Sequence, residues 1–236
     1  MHQLAFAWLV TGIFGVSLGY FLFAYLVTFG VADPGGARGV WRPALINFSL
    51  FAVFALHHSL FARTRFKRVV TALLPPALER ALYSLIASVL FLFVCAVWQP
   101  VPGVLYAVSG PWRWAGYAAQ AAGILLTVVS SRALDVLDLS GVRQVLTSRS
   151  AINPQQHPLE TGGVYGLVRH PLYFGWALFV FGAPDMTLTR FTFAAISTVY
   201  LAIAIPFEER SLVGAFGGDY EAYRRRVRWR MLPGLY

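Results

Sequence analysis

The chain has 236 residues, of which 58% are hydrophobic and only 12% are charged, and its formal net charge is +9. A soluble domain carries about 25% charged residues, so this composition leaves too little polar surface for a soluble globular protein. A basic balance is also a footprint of nucleic-acid binding, but here the basic residues flank long apolar runs, as membrane topology requires. We therefore predict an integral membrane protein in contact with lipids and without a nucleic-acid partner.

Four apolar runs reach the roughly 20 residues that a helix needs to cross the hydrocarbon core. They are Leu4–Gly30, Ala44–Ala62, Ala81–Trp98 and Trp114–Ser131. The first is too long for the apolar part of a signal peptide and lacks a basic start, so we interpret it as a membrane helix.

Two further runs, Leu172–Ala183 and Phe191–Phe207, are separated by Pro184 and Asp185, which predicts a C-terminal helical hairpin. The first of these runs is short and can span only by tilting or by packing within the protein. We predict an all-α integral membrane protein with five to six transmembrane helices.

The basic residues predict the orientation of these helices. With six crossings both termini share one side, and most of the 19 basic residues fall there, which marks that side as cytoplasmic. We expect 1–131 to form a four-helix scaffold and 132–236 to add a cytoplasmic loop, the hairpin and a C-terminal tail that build the site, all within one structural domain. The tail around Asp219–Arg230 is either an amphipathic helix on anionic headgroups or a solvated basic segment.

The polar segment His157–Trp176 lies next to an apolar run, where unsatisfied polar groups cost free energy and usually mark a function. Pro171 suits the first turn of a helix, whose N–H groups and dipole attract a carboxylate. Arg169 adds a bidentate fork for carboxylates, and His170 and Tyr173, three residues apart, share a helical face. The alternative is a loop-to-helix junction with interfacial tyrosines.

Gly162 and Gly163 allow a tight turn before Tyr165. Glu208 and Glu209 follow the last apolar run, and adjacent carboxylates repel one another unless a cation is close. Arg169 can neutralise one and a cationic ligand the other; the alternative is ordinary charge at a helix end. Together these residues predict a pocket with a carboxylate clamp, aromatic walls and a negative end. S-adenosylmethionine offers a carboxylate, an adenine ring and a positive sulfonium to match.

The motifs His157–Tyr165, Arg169–Gly175, Glu208–Glu209 and Phe216–Gly217 resemble the isoprenylcysteine carboxyl methyltransferase superfamily of membrane enzymes. The resemblance covers about 80 residues at the C-terminal end. Looser motifs in the N-terminal half, around 54–68, 75–80 and 139–145, are similar to bacterial methanethiol S-methyltransferases.

The resemblance implies S-adenosyl-L-methionine as methyl donor, bound at the cytoplasmic ends of the last helices in a bacterial inner membrane. It implies that the cofactor contacts include His157, Leu159, Tyr165, His170, Pro171, Leu172, Tyr173 and Glu208. To these we add Arg169 and Glu209 from the charge argument, and we predict no metal among the site residues. The prenylcysteine enzymes carry a substrate-clamping arginine where this chain has Ala204, which favours a small thiol such as methanethiol as acceptor.

The implied reaction is an in-line displacement by a thiolate, with proximity supplying much of the rate. The catalytic candidates are Arg169, to stabilise the thiolate, and Glu208 or a histidine such as His58, to accept its proton. A lipidic acceptor, a prenylcysteine carboxylate or a phospholipid headgroup, is the alternative within the same chemistry. A haem-binding membrane protein or isomerase is the alternative of another class; His57 and His58 point about 100° apart on a helix, so only one could serve a given metal.

Overall fold

The computed structural model describes residues 2–34, 39–61, 64–131, 136–147 and 158–236, which leaves His157 outside the described residues. Over these ranges the chain is mainly helical. The helices are α1 (His2–Leu26), α2 (Trp41–Phe61), α3 (Thr64–Leu73), α4 (Glu79–Val97), α5 (Arg113–Ser131), α6 (Val136–Leu139), α7 (Val142–Thr147), α8 (Pro171–Phe181), α9 (Leu188–Phe216) and α10 (Gly218–Arg226). The strands β1 (Val104–Ala107) and β2 (Asp185–Thr187) pair with each other.

Four of the described helices, α1, α2, α4 and α9, are long and apolar enough to cross a membrane. This confirms the predicted class, an all-α membrane protein. The other two predicted runs correspond to α5, with 19 residues, and α8, with 11 residues. Side chains such as Leu9 and Phe48 on the outer faces of the spans are exposed, as expected for surfaces that lipid chains cover.

The chain divides into two compact units, the first of which comprises Met1–Gly103, Leu134–Ile152 and Thr187–Thr189. Its core brings α1 against α4 and α7, where Ala7, Val10, Ala81 and Val142 are all fully buried. Gly141 precedes α7 with φ +88°, and a Cβ atom there would lie 2.5 Å from the backbone nitrogen of Ala81. Only glycine therefore permits this approach.

The second unit comprises Val104–Ala133, Asn153–Met186 and Arg190–Tyr236. Its helices α5 and α8 pack closely through small residues. A Cβ atom on Gly123 would lie 2.6 Å from the carbonyl oxygen of Gly175, so the two backbones are in direct contact. Gln120 also donates from Nε2 to the carbonyl oxygen of Phe179 over 3.2 Å. This packing fixes the position of α8, which begins at the candidate site.

The last long helix does not end where the apolar pattern does. The sequence predicts an end at Phe207, but α9 continues to Phe216 and contains Pro206. Glu208 and Glu209 therefore lie inside the helix, and the interpretation of them as ordinary helix-end charge is wrong. The physical reason is that glutamate, arginine and leucine, which follow the apolar run, are good helix formers.

Candidate functional site

The second unit places the polar motif at the start of α8. Pro171 occupies the first turn, as predicted, and the backbone nitrogens of Tyr173 and Phe174 donate to the carbonyl oxygen of His170 over 3.0 and 3.1 Å. The turn before it is also as predicted. Gly163 has φ +52°, and the backbone nitrogen of Tyr165 donates to the carbonyl oxygen of Gly162 over 3.0 Å.

Arg169 forms an internal ion pair with Glu209. Its Nε donates to Oε1 of Glu209 over 2.6 Å, and the two side chains are only 6% and 5% exposed. Its Nη1 donates to the carbonyl oxygens of Val227 and Arg228 over 2.7 and 2.9 Å. A buried charge must be paired and hydrogen-bonded in this way to be tolerated. One of the two adjacent acids is thus neutralised within the protein.

The segment that supplies these carbonyls, Val227–Arg230, also pairs with the motif through its backbone, and we call it the C-terminal strap. The backbone nitrogens of Arg169 and His170 donate to the carbonyl oxygens of Trp229 and Arg230 over 2.9 and 2.8 Å. The sequence predicts that the C-terminal tail helps to build the site, but not that its carbonyls do so, because backbone carbonyls leave no signal in residue type.

Two tyrosines of α10 pack against the first residue of the strap, Val227. Tyr220, Tyr223 and Val227 form a buried cluster against which Leu159 and Tyr165 pack. The hydroxyl of Tyr223 donates to the carbonyl oxygen of Tyr165 over 2.8 Å. The tail is therefore a folded part of the site and not a solvated basic segment. The alternation of tyrosine, tryptophan and arginine in the tail is the sequence signal that indicates this packing.

Glu208 is the acid that stays accessible. Its side chain is 44% exposed, and its Oε2 accepts a hydrogen bond from the hydroxyl of Tyr173 over 2.8 Å. The ring of His170 stacks on that of Tyr173 with centroids 5.4 Å apart and planes 4° from parallel. Nδ1 of His170 lies 3.6 Å from Oε2 of Glu208, and its Nε2 lies 3.5 Å from Oε1 of Glu209.

Two polar atoms at this site are buried without a hydrogen-bond partner in the described structure, Nε2 of His170 and the hydroxyl of Tyr220. The tyrosines nearby are neutral, because burial raises the pKa of Tyr165 and raises that of Tyr223 to about 12. Hydrogen-bonding capacity thus remains beside a carboxylate, and the surrounding rings add no charge of their own.

The other predicted cofactor contacts lie on α8 and in the turn before it. Pro171 is buried, Leu172 is half-buried on α8, and the hydroxyl of Tyr165 donates to the carbonyl oxygen of Ser130 over 3.2 Å. Of the predicted cofactor contacts, the structure brings Leu159, Tyr165, Arg169, Pro171, Leu172, His170, Tyr173, Glu208 and Glu209 into the second unit.

His58 belongs to the first unit. The hydroxyl of Tyr83 lies 3.0 Å from Nδ1 of His58, and the ring of His57 stacks between Phe61 and Tyr83 at 4.9 and 5.6 Å. No group of three or more potential metal-ligating side chains occurs in the described part of the chain. Neither a catalytic role for His58 nor haem binding is tested by these contacts, and both stay predictions.

The geometry suits a cationic ligand. An exposed carboxylate attracts positive charge, the phenol of Tyr173 fixes its orientation, and the ring of Tyr173 lies beside it, stacked on the buried ring of His170. The internal pairing of Glu209 with Arg169 leaves Glu208 to supply the negative charge. A site of this kind can bind a positively charged group next to an aromatic one.

Comparison with known proteins gives relatives over most of the chain. A "Methanethiol S-methyltransferase 2" of Bradyrhizobium diazoefficiens is 34% identical over 86% of this chain and 78% of its own length. Proteins named "Methanethiol S-methyltransferase" from Crocosphaera subtropica and Mycobacterium tuberculosis are 35% and 33% identical, over 83% and 86% of this chain and 77% and 89% of their own lengths.

No family model matches the chain, and no solved structure is significantly similar to it. The sequence identity to the named relatives, over most of each chain, is enough to show family membership. The apolar helices are consistent with a membrane protein. The chain therefore belongs to the methanethiol S-methyltransferase family and is a membrane methyltransferase.

Proposed function

We propose that the protein transfers a methyl group from S-adenosyl-L-methionine to methanethiol, giving dimethyl sulfide, at the cytoplasmic face of a bacterial inner membrane. The names of the bacterial relatives support the acceptor, and the excess of basic residues on one side of the predicted topology supports the orientation. The structural observation that carries the proposal is the half-exposed Glu208 carboxylate, oriented by Tyr173 beside the ring of His170.

The residues present fit this methyl donor, which when bound supplies an electrophilic methyl group on a positive sulfonium. Glu208 offers the complementary negative charge, and the ring of Tyr173, which is backed by the buried ring of His170, offers a surface for the adenine. The hydroxyl of Tyr220 makes no hydrogen bond in the described structure, and Nε2 of His170 has only the 3.5 Å contact with Oε1 of Glu209, so these buried atoms are left to bond a polar group of a ligand or ordered water. Leu159 and Tyr165, which pack against the tyrosine cluster of α10, would supply further apolar contacts to the donor.

Arg169 acts as a positioning residue in this proposal. Its guanidinium is committed to Glu209 and to two strap carbonyls, so it holds the start of α8 and the strap in place. A thiolate-stabilising contact from Arg169, as the sequence predicts, is left to Nη2, because Nε and Nη1 are engaged and the side chain is only 6% exposed. The departure at Ala204 favours a small neutral acceptor, since the position has no charge to clamp a carboxylate.

The chemistry balances with Glu208 as proton acceptor. Glu208 would accept the thiol proton, and the bound donor would supply the methyl group to the thiol sulfur, its own sulfonium sulfur becoming a neutral thioether. The negative charge of Glu208 and the positive charge of the sulfonium are thus lost together, so no charge is stranded at the membrane boundary. The chain's contribution is alignment and exclusion of water.

A product assay tests the proposal. Membranes containing the protein are incubated with methanethiol and methyl-labelled S-adenosylmethionine, and labelled dimethyl sulfide is measured in the headspace by gas chromatography. We expect labelled product from wild type and from Asp219→Asn, an exposed acid on α10, and little from Glu208→Gln. Absence of labelled dimethyl sulfide, with the label instead in extracted lipid, would contradict the thiol acceptor in favour of a lipidic one.

A further inference from the structure

A second charged feature lies in the same unit, beside the buried Glu209. It is a cavity of about 340 Å³ between α9, α10 and the strap. The charged residues that line it are Glu209, Arg210, Glu221, Arg224 and Arg230. Neither Glu208 nor Tyr173 is among its lining residues, and Glu209, which is, is already paired internally with Arg169.

The cavity carries surplus positive charge. Glu209 is already neutralised by Arg169, whose Nε lies 2.6 Å away, and Nε of Arg230 lies 3.4 Å from its other oxygen. Glu221 pairs with Arg224 over 3.2 Å, where both side chains are more than a third exposed, so that this bond is weak and exchangeable. Arg210 has no carboxylate partner among the residues that the structure describes.

An apolar stripe leads along α9 to Arg210. Val199, Ile203 and Phe207 follow one another at intervals of four, which places them on one helical face, and they are 57%, 60% and 48% exposed. The guanidinium of Arg210 lies over the Phe207 ring, 5.5 Å from its centroid. Because α9 is one of the membrane-spanning candidates, this stripe faces acyl chains, and Arg210 comes where the stripe ends.

We propose that this cavity binds the phosphate headgroup of an anionic phospholipid, with the acyl chains lying along the Val199–Phe207 stripe. Arginine guanidinium matches phosphate oxygens with paired hydrogen bonds, which Arg210 can provide. Arg230 adds positive charge, since its Nε lies 3.4 Å from Glu209 and its Nη1 donates to the hydroxyl of Tyr236 over 3.2 Å. Val213 adds an apolar wall to the cavity. The continuous apolar stripe favours a lipid over a soluble phosphate, because a soluble ligand would leave it unused.

Native mass spectrometry of the full-length protein in detergent tests this inference. Phosphatidylglycerol and phosphatidylcholine with the same acyl chains are titrated separately into wild type, Arg210→Gln and Arg225→Gln. Arg225 is the matched control, since it is an exposed arginine of α10 outside the cavity lining. We expect preferential phosphatidylglycerol adducts on wild type, a loss of about fivefold in Arg210→Gln, and little change in Arg225→Gln.

Equal weakening by the two substitutions would overturn the inference, because it would indicate general surface electrostatics. Displacement of phosphatidylglycerol by glycerol phosphate at equal concentration would also overturn it, because the ligand would then be a soluble phosphate. Arg210 is exposed, so its substitution should leave the melting temperature in detergent nearly unchanged. If Arg210→Gln nevertheless unfolds, Arg210→Lys, which keeps the charge but not the paired bonds, takes its place with a smaller expected loss.

Discussion

The guanidinium of Arg169 donates from Nε to Oε1 of Glu209 over 2.6 Å, and the two side chains are almost wholly buried. The pair joins the segment that leads into α8 to the C-terminal third of α9. It decides which of two adjacent acids is available to a ligand, since Glu209 is neutralised and Glu208 is not.

Breaking this pair should destabilise the protein strongly. Arg169→Ala or Glu209→Ala leaves one charge buried without its partner, which costs about 3–5 kcal/mol of the free energy of unfolding. The matched control is Arg113→Ala, which removes another pair of the same 2.6 Å length, with Asp185, whose side chains are 41% and 32% exposed. Chemical denaturation in detergent should show a much smaller loss there. Equal losses at the two sites would contradict the importance of burial.

Tyr173→Phe isolates the bond that orients Glu208. The substitution keeps the ring that stacks on His170 and removes the hydroxyl that donates to Glu208 over 2.8 Å. We expect the dissociation constant of the methyl donor to rise about tenfold, the worth of one hydrogen bond to a charged group, with the melting temperature unchanged. Tyr106→Phe, which removes a hydroxyl that bonds to the backbone of residues 181 and 183, is the control and should leave binding unaltered.

Gly175→Ala tests whether the contact between α5 and α8 positions the site. A Cβ atom there would lie 2.6 Å from Oγ1 of Thr127 and 2.8 Å from the carbonyl oxygen of Gly123. The helices must separate, so we expect a lower melting temperature and weaker donor binding together. Gly214→Ala on α9 meets nothing within 4 Å and should be neutral or slightly stabilising, by up to about 1 kcal/mol. A harmless Gly175→Ala would show that α8 tolerates displacement.

The sequence predicts the local structure around the start of α8 better than it predicts the long-range contacts that hold this segment in place. Pro171 at a helix start, the turn at Gly163 and the shared face of His170 and Tyr173 all follow from local rules, and the structure agrees with each. These features depend on neighbours a few residues away. Local propensity alone was enough to predict them.

The framework depends on contacts that no local rule encodes. Arg169 meets Val227 and Arg228 across 58 and 59 residues, and their carbonyls have no signature in the sequence. The predicted end of α9 differs from the observed one for a related reason, because apolar composition stops at Phe207 whereas helix propensity continues. Which acid pairs with Arg169 likewise depends on the angular position of Glu209 once the helix extends through it.

The phenol of Tyr223 links α10 to the turn at Tyr165, and its titration should be visible at high pH. Burial raises its pKa from the ordinary 10.0 to about 12, so the folded state favours the neutral form. Its contribution to stability is fully present below about pH 10 and is lost as the pH rises through about 12. Ultraviolet titration should show one late-titrating tyrosine fewer in Tyr223→Phe, and an unchanged titration would contradict the burial of this hydroxyl.

Calorimetric binding of S-adenosylmethionine to the detergent-purified protein tests the central claim most directly, with Glu208→Gln and Asp219→Asn measured beside the wild type. The account predicts a dissociation constant on the order of micromolar for wild type and Asp219→Asn, and binding weakened by at least about tenfold in Glu208→Gln. A folded wild type that does not bind, or a Glu208→Gln variant that binds as tightly, would contradict it.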